Sequence, residues 1–79
     1  MFKALANKRR LSIIKYLKQH NESPVGEIAV AIKLSLKATS KHLFILKAVD
    51  IVESEQRSLL VFYRLSTLSG LTKLIVHNL

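Results

Sequence analysis

Seventy-nine residues, 49% of them apolar, make one small domain spanning 1–79, and the absence of cysteine excludes disulfides, thiol catalysis and thiolate metal sites. Thirteen Lys and Arg against five Asp and Glu give a net charge of +8, a balance that calls for a polyanionic partner, nucleic acid before membrane. No apolar run is long enough to span a bilayer and no secretory signal is visible, so the expected compartment is the cytoplasm.

Residues 1–6 read as the end of a helix, with Phe2 and Leu5 spaced to pack together. Asn7 can cap a second helix over about residues 8–20, whose core face is Leu11, Ile13, Ile14 and Leu17. Lys8, Arg9 and Arg10 crowd its first turn, where the helix dipole disfavours cations, and a nearby phosphate would compensate them. Ser23 followed by Pro24 predicts a helix start, hydroxyl cap then proline at the first helical position, for a short helix over 24–32 that buries Val25, Ile28, Ala29 and Ile32. Lys33 and Leu34 form the turn into the next helix.

The helix over 36–49 opens on Ser35 as its cap. Leu36, Thr39, Leu43 and Leu46 recur at i, i+3, i+7 and i+10, one stripe of a helix. Lys37, Lys41, Phe44 and Ala48 fall on the opposite face, with Ser40 beside them. An apolar back and a cationic, small-polar front presented N-terminus first suit entry into a DNA major groove. Asp50 suits the terminating position because it tolerates unusual backbone angles, and Ile51 and Val52 return to the core. Residues 53–56 then read as a short strand, Arg57 and Ser58 as the turn, and 59–65, rich in β-branched and aromatic residues, as a second strand. The hairpin is a wing with Arg57 near its tip. Thr67 can cap a last helix to about residue 78, with Leu68, Leu71, Leu74, Ile75 and Val76 as apolar positions. The expected fold class is mostly α with a small β-hairpin, a winged helix-turn-helix in the order α-α-α-α-β-β-α.

Catalytic chemistry finds no support in these residues. There is no glycine-rich phosphate loop and no shielded carboxylate pair, and Ser40 and His42, two apart on a helix, point about 160° away from each other.

Three stretches carry a family resemblance. FKALANKRRLSIIKYL, with Arg10 and Leu11 as an Arg-Leu pair, PVGEIAVAIKLSLKATSKHLFILKAVDIV and SLLVFYRL occur in that order over nearly the whole chain. Together they resemble the ArsR-type winged helix-turn-helix transcriptional regulators. The resemblance implies a sequence-specific, dimeric DNA-binding repressor that reads the major groove with helix 36–49 and the backbone or minor groove with wing 53–65. Carried onto matching positions, it implies DNA contact from Lys37, Ser40 and Lys41, from His42 at the edge, and from Ser35 and Arg10; the wing is expected to reach phosphate or minor groove through Arg57. It also implies a homodimer built from the first and last helices, here Phe2, Leu5, Leu68, Leu71, Ile75 and Leu79.

The departures are informative. Pro24, Val25 and Gly26 occupy the places of the family's Cys-Val-Cys arsenic site, and the last helix holds a lone His77 where other members carry Asp and His pairs. His20 and His42 do not complete a set of three or four ligands. No metal or cofactor is therefore expected, and any inducer signal would have to be a small molecule, a partner or simple dilution. Ser58 stands where the family's wing tip has glycine. The alternative readings are a winged-helix protein-protein interaction module, using Phe44, Leu60 and Phe62, and a small RNA-binding protein. Lys37, Lys41 and the net charge favour duplex DNA.

Overall fold

A computed structural model of the chain describes residues 7–66. The expected helices over 1–6 and 67–78, with Phe2, Leu5, Leu68, Leu71, Ile75 and Leu79, lie outside the described residues. Within them the order is α1 (Lys8–His20), β1 (Glu22–Pro24), α2 (Val25–Ile32), α3 (Leu36–Ala48), β2 (Val52–Arg57) and β3 (Leu60–Leu65). The three strands form an antiparallel sheet in the order β1-β3-β2.

Asn7 caps α1 as its sequence predicts, its side-chain oxygen accepting from the N–H groups of Arg9 at 2.8 Å and Arg10 at 3.3 Å. Ile13, Ile14 and Leu17 project inward to meet Ile28 of α2, Leu43 and Leu46 of α3, and Ile51 and Val52 beyond it, all of them buried. Each such side chain stabilises the fold by about 1.5–3 kcal/mol through removal from water. Leu11 and Ile32 pack against this core from its margin.

The segment before α2 departs from expectation. Ser23 does not cap a helix. Instead Glu22–Pro24 pair with β3, Ser23 facing Tyr63 and Pro24 facing Phe62, and the helix begins one residue later at Val25. Two features account for this. Pro24 has no N–H to give, so it fits an edge strand, which β1 is. Ser23 is buried, and its hydroxyl donates to the Pro24 carbonyl at 3.1 Å.

Helices α2 and α3 end on the same device. The N–H of Lys33 bonds the Val30 carbonyl and that of Leu34 the Ala29 carbonyl; the N–H of Asp50 bonds Lys47 and that of Ile51 bonds Leu46. Both are Schellman closures with a non-glycine residue in the left-handed region, Lys33 at φ 58° and Asp50 at φ 60°. The first makes the tight turn of the helix-turn-helix. The second returns Ile51 to the core, as the position of Asp50 predicts.

Along α3, Thr39, Leu43 and Leu46 are fully buried, whereas Leu36, expected in the same stripe, is 55% exposed in the first turn. Ser35 caps the helix by accepting from Ala38 N–H at 3.1 Å, and the Thr39 hydroxyl donates to the Ser35 carbonyl at 2.8 Å. In the hairpin, β2 begins at Val52 and keeps Arg57 paired with Leu60, so the turn falls on residues 58–59, one later than expected. Ser58 takes φ 57° there, a conformation that glycine would adopt without strain.

Candidate nucleic-acid interface

With its back buried, α3 presents Lys37, Ser40 and Lys41 to solvent. Phe44, on the same side, is 73% exposed. Two flexible cations, a hydroxyl and an apolar ring suit phosphate oxygens, base edges and thymine methyls respectively. Ser35 is exposed at the start of the same helix, its hydroxyl oxygen engaged by the cap while its O–H remains able to donate.

The basic first turn of α1 is built against this helix pair. Arg9 donates from Nη1 to the Ile32 carbonyl at 3.0 Å, at the negative end of α2. Part of the charge that seemed to need a phosphate is thus compensated by the neighbouring helix. Arg10 lies with its Nη1 3.3 Å from Nδ1 of His42, so residues 32 apart in sequence meet between α1 and α3. Arg10 can only donate, so Nδ1 accepts and the imidazole proton sits on Nε2. Burial, followed by the charges of Arg10, Lys41 and Arg9, holds the His42 pKa below its ordinary value, consistent with a neutral ring.

At the other end of α3, Lys47 Nζ donates to Ser54 Oγ of β2 at 2.6 Å, tying helix to wing. The wing's charged face is closed on itself. Arg57 donates from Nη1 and Nη2 to the two carboxylate oxygens of Glu22 at 2.6 and 2.8 Å, and from Nη2 to Glu55 at 3.2 Å, over the Phe62 ring at 4.7 Å. Arg64 donates to Glu53 at 2.7 Å and Glu55 at 2.9 Å. The Arg57 hydrogen bonds hold the carboxyls of Glu22 and Glu55 below their usual range and push the guanidinium up. Arg57, expected at the tip to face DNA, is therefore the last residue of β2 with a guanidinium folded back across the sheet. Sequence reasoning misses this cluster because Glu22 lies in the short polar stretch between two helices and carries no local strand signal. Only its strand position, opposite Arg64, brings it to the wing.

Residues 7–54 match the family described as bacterial regulatory protein, arsR family. The chain belongs to the ArsR family. Its members are transcriptional regulators rather than enzymes. Among relatives, the transcriptional activator HlyU of Vibrio cholerae is 40% identical over 67 residues, 85% of this chain and 61% of HlyU. The cadmium resistance transcriptional regulatory protein CadC of Lactococcus lactis is 39% identical over 62 residues, 78% of this chain and 52% of CadC. This ArsR-family chain thus spans between half and two thirds of these curated relatives. Among solved structures, reduced HlyU from Vibrio cholerae superposes with a TM-score of 0.86 at 38% identity, covering 98% of this chain and 78% of that one. A homodimeric winged helix-turn-helix DNA-binding domain from Mycobacterium bovis gives 0.81 at 36% identity, over 92% and 68%. The winged helix-turn-helix class is therefore correct. Among the described residues three helices and the hairpin are present, with the additional strand β1 completing the sheet.

No three residues of the His, Cys, Asp and Glu types come together as a metal-holding group among the described residues, and no described helix is long and apolar enough to cross a membrane.

Proposed function

We propose that this ArsR-family chain is a sequence-specific DNA-binding transcriptional regulator that enters the major groove with α3. The observation that carries the reading is the two-sided character of that helix. Thr39, Leu43 and Leu46 are fully buried behind an exposed front of Lys37, Ser40 and Lys41. Base or phosphate contact is assigned to Lys37, Ser40 and Lys41, backbone contact to the flanking Ser35, Arg10 and His42, and an apolar contact to Phe44. For Arg57 we favour a structural role, since its N–H donors already serve Glu22 and Glu55.

The working form is a homodimer joined through the segments that hold Phe2, Leu5, Leu68, Leu71, Ile75 and Leu79. The homodimeric Mycobacterium bovis neighbour supports this. A two-fold dimer places its reading helices about 34–36 Å apart, one DNA turn, and calls for a palindromic site. Occupancy of such a site is by itself enough to block a promoter, so repression is the reading adopted, although HlyU is described as an activator. With no cysteine for thiolate ligation, release by a metal is not part of the proposal. The cytoplasm is the compartment in which the protein would meet DNA.

Selection of duplexes from a random pool, followed by titration at several salt concentrations, tests the reading. It expects enrichment of palindromes with half-sites one turn apart. Equal affinity for selected duplex, random duplex and single-stranded RNA would overturn it.

A further inference from the structure

Between α2 and the wing lies an open groove of about 780 Å³, within the roughly 300–1,000 Å³ typical of small-molecule sites. Val25 and Val30 of α2, Leu60 and Val61 of β3 and Tyr16 of α1 line it. Its apolar lining faces water: Val30 is 79% exposed, Leu60 54%, and Leu59 at the wing turn 95%. Exposed apolar surface gathered in one concavity on so small a domain marks a place of binding rather than ordinary surface scatter. Beside Gly26 the space is open, with nothing within 4 Å of where a Cβ would stand.

The charge of the lining is more telling than its volume. The chain carries 13 Lys and Arg, yet none of the described Lys, Arg or His residues lines this groove. Its one carboxylate is Glu27. The four ion pairs among the described residues all lie on the sheet, linking Glu22, Glu53 and Glu55 to Arg57 and Arg64, and leave Glu27 out. Glu27 also stands in the first turn of α2, where the dipole favours an acid; the described cations Lys15 and Lys33 belong to an adjoining groove that shares Tyr16 and Ala31 with this one. Tyr16 also lines the groove, with its ring stacked on that of His20 at 4.2 Å between centroids, which fixes the ring in place.

We propose that this groove binds a lipophilic cation, a small molecule with an aromatic or aliphatic body and a single positive charge. The body lies on Val25, Val30, Leu60 and the edge of the groove at Tyr16, and the charge is held by Glu27. The inference does not depend on DNA binding.

Two probes of one shape and opposite charge test it: tetraphenylphosphonium and tetraphenylborate, titrated into the full chain while methyl resonances are followed by NMR. The phosphonium should shift the methyls of Val25, Val30, Leu60 and Val61 saturably. The borate, despite the favourable net charge of the protein, should not saturate them. Glu27→Gln should weaken phosphonium binding about two- to fivefold, the worth of an exposed ion pair. Val30→Arg, at a position exposed enough to leave the fold intact, should abolish it. Borate binding at the same methyls with equal affinity, or unchanged affinity in Glu27→Gln, would overturn the proposal. So would methyl shifts that depend on protein concentration without any probe, which would make a second copy the occupant.

Discussion

Arg57 and Glu22, 35 residues apart, meet as a two-pronged ion pair with N–O distances of 2.6 and 2.8 Å. The pair joins the end of β2 to the edge strand β1, spanning β3 between them, so the wing's orientation is tied to the segment that leads directly into α2. An exposed bridge of this kind adds little to global stability. Its consequence is geometric, and it changes what Arg57 can be expected to do.

A phosphate ligand at Arg57 would lower the salt slope of log K by about one when removed. On the strut reading, Arg57→Ala leaves that slope unchanged and weakens affinity only through a misplaced wing. The charge swap Glu22→Arg with Arg57→Glu should then recover most of the affinity lost in Arg57→Glu alone. A slope lowered by one in Arg57→Ala, with no recovery in the swap, would show that Arg57 reaches phosphate.

The Arg10–His42 contact predicts a pH dependence of stability. The His42 pKa is depressed in the fold, chiefly by burial. The unfolded chain therefore takes up the proton first as pH falls, and stability declines below the ordinary histidine value of 6.5 until the folded-state pKa is passed. His42→Asn places an amide oxygen near the former Nδ1 and does not titrate, so its chemical denaturation midpoint should be flatter between about pH 6.5 and 5 than that of the wild type. Parallel pH profiles would contradict the assignment.

The carboxylates of the wing titrate lower. Glu22 and Glu55 are both held below the ordinary 4.5 by the hydrogen bonds of Arg57. Their contribution is present above that value and is lost as pH falls through the depressed folded pKa. NMR titration of the side-chain carboxyls should find both midpoints below 4.5 in the wild type and shifted upward in Arg57→Ala.

Lys33 and Ser58 hold φ 58° and φ 57°, where a side chain is strained. Lys33→Gly and Ser58→Gly should each be neutral or stabilising by up to about 1 kcal/mol, although glycine in an ordinary loop position would destabilise. Leu46→Ala, at a position with no exposure, should cost about 2–5 kcal/mol by contrast. Thermal and urea unfolding read all three.

Local signals in the chain were legible where a residue's chemistry acts on its neighbours. Asn7 and Ser35 cap as their side chains predict, Asp50 terminates α3, and Thr39, Leu43 and Leu46 turn inward. What escaped was decided by contacts distant in sequence. Ser23–Pro24 has the composition of a helix start, and only pairing with Phe62 and Tyr63 makes it an edge strand. The Arg57 guanidinium was visible as a wing charge, but its partner at Glu22 exists only once that strand is placed. The groove likewise depends on α2 and β3 standing side by side, which no local periodicity encodes.

The central claim is that the front of α3 reads DNA, and the direct measurement is the affinity of Lys37→Ala/Lys41→Ala for a selected palindromic duplex and for random duplex, with circular dichroism confirming the fold. The account predicts that Lys41→Ala alone weakens specific binding by about 1–3 kcal/mol, with the double variant losing discrimination between the two duplexes. Unchanged specific affinity in a folded double variant would contradict it.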